Sequence, residues 1–278
     1  MPELDLREFQ SEMRPIPERV REALARGVRQ ASDALRLAQA PRLLEPGHLP
    51  VEDGVERLPE GMMVVSVRTE MPGVTGEMID WWFGWHLTHS ERYRLWHPKA
   101  HLKATVKEDR SHLPGNRERY VGNVSYVDEY IGTELMKLSI EFADPGVYGL
   151  TPEGLARANV GTAVCARTAF RGTPLAVGHL IHLIRHVEGG CEMRSRFWLG
   201  DVQVRLPVLG GALSRVANLP PVRRRVMPDK LGLDLLVHCA EEMNHLAHFL
   251  PALYRRVHEQ APGPTATVSP SARQAPTG

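Results

Sequence analysis

Several things are missing from this 278-residue chain. Its first residues, MPELDLREFQSEM, are acidic and polar, whereas a secretory leader opens on basic residues followed by an apolar run. No window reaches the roughly 18 apolar residues that a membrane-crossing helix needs. The expected location is therefore the cytoplasm, with no membrane partner. The basic excess that neutralises a phosphate backbone is absent too, since the formal net charge is +1, so nucleic acid is not an expected partner. Cysteines are few: Cys165, Cys191 and Cys239 are odd in number, far apart and set among apolar neighbours. Neither a disulfide framework nor a zinc ribbon fits that pattern, and buried free thiols are expected.

What is present is an ordinary globular composition, 42% hydrophobic and 24% charged, with one excess, its 13 histidines. Several cluster: His86 with His89, His97 with His101, His179 with His182 and His186, and His238 with His245 and His248. Neutral imidazole is the commonest metal ligand, so these clusters mark where a cation site is to be sought.

The chain divides by pattern. Residues 14–40 repeat Val20, Leu24, Val28, Ala31, Leu35 and Leu37 among arginines and glutamates, which predicts an amphipathic helix. Its apolar stripe needs a partner, and a homodimer is expected on that ground. Proline, glycine and charge dominate the next twenty residues, which read as a linker, so a helical N-terminal region and linker are assigned to 1–60. From 61 the pattern is β-rich: MMVVSVRTEM, ERYVGNVSYVDEY, ELMKLSIEF, GTAVCARTAF, LAVGHLIHLIRHV and CEMRSRFWLG predict at least six strands, separated by turns. Thr75 is placed to cap a short helix carrying Trp81, Trp82 and Phe83. With no long helix between the strands the sheet should be antiparallel. Near the end, Asp229 is a candidate cap for about 20 residues of helical pattern, which Pro251 should end or kink. The fold class is thus α+β, a curved antiparallel sheet around one long C-terminal helix over 61–260, with a cavity between them. The tail, 261–278, lacks the apolar residues to pack and is expected to be disordered.

On that C-terminal helix, at about 100° per residue, Leu236, Cys239, Ala240, Met243, Leu246, Ala247, Phe249 and Leu250 share one arc, and Glu242 lies inside it. Glu241 falls on the opposite side with Asn244 and His248. A carboxylate among apolar side chains is costly unless something compensates it. His238, one turn earlier, shares its side and could bind the same ion. Two ligands leave the site incomplete, so the sheet must supply more. In YVGNVSYVDEYIG, alternation puts Asn123, Ser125, Val127 and Glu129 on one face and Asp128 on the other, and one of the two acids must face the helix. The second donor is YRLWHPKAH, with His97 and His101. In HLIHLIRHV, periodicity cannot choose between the face of Leu180, His182 and His186 and the face of His179. On the following strand Cys191, Met193, Ser195, Phe197 and Leu199 face inward.

Four ordered stretches, MPGVTGEMIDWWFGWH, SERYRLWHPKAH, VDEYIG and HCAEEMNHLAHFLP, together resemble the diacetylphloroglucinol and phloretin hydrolase family, over about residues 62–251. The resemblance implies a Bet v 1-like helix-grip domain behind a small helical N-terminal region. It also implies Zn²⁺ held by His101, Glu129, His238 and Glu242, with Tyr93 contacting a phenolic hydroxyl and His182 a pocket histidine that transfers a proton. Phe197 stands where that family has a second phenol-binding tyrosine. The expected activity is hydrolysis of the C–C bond between an acyl group and a phenolic ring in a small aromatic ketone. The competing expectations are a metal enzyme on another 1,3-dicarbonyl or polyketide, and a helix-grip binder of a hydrophobic molecule whose histidines are structural.

Overall fold

The computed structural model describes residues 4–259; the tail expected to be disordered, 261–278, lies outside the described residues. Among the described residues nine strands form one sheet: β1 Val28–Gln30, β2 Gly54–Arg57, β3 Met63–Pro72, β4 His101–Val106, β5 Val124–Ile131, β6 Glu134–Ala143, β7 Val160–Phe170, β8 Leu175–Val187 and β9 Gly190–Val204. Their order is β1-β2-β3-β9-β8-β7-β6-β5-β4. Every pairing is antiparallel except β1 with β2. The helices are α1 Glu18–Arg26, α2 Gly76–Trp85, α3 Ser90–Trp96, α4 Asn116–Tyr120, α5 Pro152–Arg157, α6 Gly210–Ala217, α7 Pro220–Val226 and α8 Asp229–Glu259.

The six runs read as strands are β3 and β5 to β9. The other three are three, four and six residues long, too short for alternation to stand out, and the strands beside them define them. α8 packs against β2 and β3 and also against β5, five strands further along the sheet, so the sheet must curve around it. Gly232 permits the close approach: a Cβ there would lie 2.5 Å from the Met63 sulfur and 2.8 Å from Val55. Leu236, Cys239, Met243, Leu246 and Leu250 then share a core with Met63, Val65, Val67, Met193 and Trp82. This is the expected α+β helix-grip arrangement, and all three cysteines in it are buried and free.

The N-terminal sixty residues differ from the single helix and linker predicted. α1 stops at Arg26 because Gly27 adopts φ +69°, and the chain then runs into the sheet edge as β1. Residues Leu37–Leu44 form a 3₁₀ helix with Leu43 fully buried. The boundary near residue 60 falls in the tight turn between β2 and β3, where Leu58 and Met62 are hydrogen-bonded. This region covers the outer face of the sheet: Leu35, Leu43 and Leu58 pack with Val64, Ile181, Leu183 and Trp198 in a second core. Trp198 donates to the Leu35 carbonyl at 2.8 Å, and Arg194 and Arg196, each 1% exposed, pair with Glu52. α1 itself buries Val20 and Ala23 in the core that holds α8, so its apolar stripe is met within the chain.

Two expectations about α8 are also corrected. The helix passes through Pro251 to Glu259. Proline removes only one backbone donor, and the turn beyond is held by fully buried Leu253 and by Tyr254, whose ring lies edge-on to Trp81 at 5.3 Å. Asp229 is the first helical residue, and its carboxylate accepts from Arg57 at 2.6 Å.

Candidate metal centre

α2 begins as expected, with the Thr75 hydroxyl accepting from the Met78 amide at 3.3 Å. It delivers Trp82, Phe83 and His86 to the interior. α3 carries Tyr93 and Trp96 inward, and the chain turns through Pro98 into β4 at His101. In the sheet register His101 lies opposite Glu129 of β5. α8 approaches the same place with His238 and, one turn on, Glu242.

The four side chains converge. His101 Nε2 is 3.6 Å from Glu129 Oε2 and 3.5 Å from Glu242 Oε2; His238 Nε2 is 3.9 and 3.8 Å from the same two oxygens. These separations are too long for hydrogen bonds. They resemble the spacing of atoms around a shared ion, since ligands about 2.0–2.1 Å from a tetrahedral centre lie about 3.3 Å apart. Ligand atoms of His101, His238 and Glu242 all fall within 4.8 Å of one another, while Glu129 lies close to the two histidines without joining that group.

Proton bookkeeping points the same way. His101 Nδ1 faces the Tyr93 carbonyl at 3.0 Å, and a carbonyl only accepts, so the proton sits on Nδ1. Nε2 then presents a lone pair; it is buried and has no hydrogen-bond partner. A lone pair and two carboxylates facing one another call for a cation. Without one, burial raises the Glu242 carboxyl to about 7 and lowers both His101 and His238 to about 4. Two imidazoles and two carboxylates suit a divalent ion of borderline hardness.

The surroundings orient this set. The Tyr93 hydroxyl donates to Glu129, and its ring stacks on His101 at 3.8 Å and 3°. Trp96 Nε1 donates to the Glu242 carbonyl at 3.1 Å. His97 accepts from the Ala100 amide on Nδ1, donates from Nε2 to Glu241 at 3.2 Å, and stacks on His238. The adjacent glutamates on α8 therefore have separate partners, and Glu241 is bound at the half-exposed margin. Asp128 points away and pairs with Arg171, so Glu129 is the β5 acid in the cluster.

Beside the cluster lies a cavity of about 90 Å³ walled by Phe83, Trp96, Phe142, Leu180 and Phe197, with Glu129, His238 and Glu242 on its surface. His182 is on this face of β8, with Nδ1 2.8 Å from Ser195 Oγ and its ring edge-on to Phe197 at 5.7 Å. Burial holds His182 down at about 3, so it is neutral. Two cavity residues carried no role in the sequence reading. His86 donates from Nδ1 to the Trp82 carbonyl at 2.7 Å, which leaves Nε2 as an acceptor beside the cavity, and burial lowers it to about 3. Its signal was its place one turn beyond Trp82 and Phe83. Ser125 shares the face of Glu129, but a serine in a strand gives no chemical signal by itself.

A sheet gripping one long helix, with His101, His238 and Glu242 grouped closely enough to hold a metal ion and Glu129 beside them at the wall of an aromatic cavity, defines a helix-grip protein with an enclosed candidate site. The chain belongs to the DAPG hydrolase family: residues 35–255 match the DAPG hydrolase PhiG domain. It is 33% identical over 255 residues to a 2,4-diacetylphloroglucinol hydrolase from a Pseudomonas species, covering 89% of this chain and 86% of that one. Phloretin hydrolase of Eubacterium ramulus is 29% identical over 203 residues, 70% of this chain and 68% of the relative. Among solved structures, the di-domain ARO/CYC BexL from the BE-7585A biosynthetic pathway aligns with a TM-score of 0.41 at 7% identity, over 69% of this chain and 51% of that one. No helix among the described residues is long and apolar enough to cross a membrane.

Proposed function

We propose that this chain hydrolyses the C–C bond between an acyl group and a polyhydroxylated phenolic ring, in the manner that the names of its relatives describe, and that it uses Zn²⁺. The observation that carries the reading is the grouping of His101, His238 and Glu242, with Glu129 beside the two histidines, at the wall of an aromatic cavity, with the His101 lone pair unpartnered. When bound there, zinc supplies Lewis-acid polarisation of a carbonyl and a lower pKa for water. Two carboxylates in the set temper that acidity by neutralising the ion's charge.

The chain's own residues do the rest. Phe83, Trp96, Phe142 and Phe197 hold the ring and exclude bulk water. The Tyr93 oxygen, while donating to Glu129, keeps a lone pair for a phenolic hydroxyl. His182, neutral and lining the cavity, takes the proton of a ring hydroxyl and returns it to the ring carbon that bears the acyl group, which requires Nδ1 to carry its hydrogen toward Ser195 and leave Nε2 as the base. The ring becomes a keto tautomer, and water adds to the acyl carbonyl. The C–C bond then breaks, its electron pair restoring the phenol, and the acyl group leaves as a carboxylic acid. Phe197 offers no hydrogen bond, which favours a substrate with one hydroxyl contact fewer on that side.

The test is metal analysis of purified protein, followed by assays on acetylphloroglucinol, diacetylphloroglucinol and phloretin. About one zinc per chain is expected, with release of the acid and the deacylated phenol from at least one ketone. His238→Ala and Glu242→Ala should lose both metal and turnover. Metal-free wild-type protein, or variants of undiminished activity, would refute the proposal.

A further inference from the structure

The cavity wall carries a polar atom that neither the metal centre nor the proton transfer uses. Ser125 is 1% exposed and lines the cavity, and its Oγ has no hydrogen-bond partner. Its neighbours across the sheet, Val106 and Ile140, have no polar side-chain atoms to offer. A buried hydroxyl left unpaired is less favourable than alanine at the same position, which has no polar atom to desolvate. Packing therefore does not account for a serine here, whereas a visiting hydrogen-bond partner does.

Position indicates what visits. Ser125 precedes Glu129 by four residues on the same face of β5, which places their Cα atoms about 13 Å apart along the strand. Glu129 belongs to the metal centre, and the walls that Ser125 shares are those of Phe83, Phe142 and Phe197. A ring whose acyl carbonyl lies at the metal centre directs its far substituent along β5 toward Ser125.

We infer that Ser125 is a specificity-determining residue, whose hydroxyl pairs with the ring hydroxyl farthest from the scissile acyl group and so selects polyhydroxylated ketones over simpler phenolic ones. This rests on the function proposed above. It also supplies a hydroxyl contact in a cavity where Phe197 has none to give.

The experiment compares acetylphloroglucinol with its analogue lacking the hydroxyl para to the acetyl group, in zinc-loaded wild-type and Ser125→Ala proteins, alongside thermal melts without substrate. Wild-type protein should favour acetylphloroglucinol by about five- to tenfold in kcat/KM, the value of one neutral hydrogen bond. In the variant that preference should fall to near unity, through a weaker response to acetylphloroglucinol alone, and its phloroglucinol affinity by calorimetry should fall by a similar factor. Its Tm should equal or exceed that of wild type, because an unpaired buried hydroxyl has been removed. An undiminished preference in the variant would overturn the inference. So would a fall in Tm with both ketones affected alike, which marks the serine as structural. If wild-type protein turns over none of acetylphloroglucinol, diacetylphloroglucinol and phloretin, the functional reading itself has failed and the inference falls with it; if it turns over only the latter two, an unchanged phloroglucinol affinity in the variant overturns the inference.

Discussion

At the scale of single residues, His182 shows how an apolar wall sets protonation. Its ring is 3% exposed, and burial lowers it from 6.5 to about 3. The unfolded chain therefore binds a proton below pH 6.5 that the folded chain refuses. The stability tied to His182 is complete above about 6.5 and is lost as the pH falls from there toward 3, by up to about 1.4 kcal/mol per pH unit. Urea unfolding of wild type and His182→Phe at pH 7.5 and 5.5 measures this term. The wild type should lose more stability between the two, by about 1–1.4 kcal/mol; parallel losses would refute it.

At the scale of elements, the N-terminus of α8 is anchored by a strand that sequence pattern placed in a linker. Arg57 on β2, 2% exposed, donates to Asp229 and to the carbonyls of Met227, at 2.7 Å, and Gly61, at 2.8 Å. Asp229 is about half exposed and can return to water. The two carbonyls cannot. Arg57→Met should thus cost about 2–4 kcal/mol, mostly from those orphaned acceptors, and Asp229→Asn about 1 kcal/mol or less. Chemical denaturation distinguishes the two, and equal effects would be inconsistent with this account. Since His238 and Glu242 ride on α8, the same anchor contributes to the placement of half of the candidate metal ligands.

At the scale of the whole molecule, the middle of the sheet, at β3, β9 and β8, is buried on both faces. β9 sends Cys191, Met193, Ser195 and Phe197 toward α8, and Arg194, Arg196 and Trp198 into the layer made by residues 31–58. Removing that layer would strip Glu52 from two buried guanidinium groups and expose Trp198, Val64 and Leu183. Each large apolar side chain uncovered in this way forfeits about 1.5–3 kcal/mol of burial. A chain beginning at residue 61 should accordingly fail to give a cooperative unfolding transition by circular dichroism. A truncated protein melting within a few degrees of the full chain would show instead that the two parts fold separately.

Local pattern was enough for the long elements and for half of the site. The strands of β3 and β5 to β9 alternate over many residues, α8 repeats at helical spacing, and Glu242 inside an apolar arc demands compensation wherever the rest of the chain lies. The match of four ordered stretches to a known family then pointed to His101 and Glu129. Pattern by itself could not choose between Asp128 and Glu129, or between the two faces of β8; the family resemblance favoured Glu129 and His182, and the tertiary structure places both beside the cavity. Alternation divides a strand into two sides but does not say which one another element will cover. Tertiary structure decided the fate of the first sixty residues, where short apolar segments acquire structure only from the sheet they cover. The unpaired hydroxyl of Ser125 belongs to the same category, because whether a polar atom has a partner depends on everything packed around it.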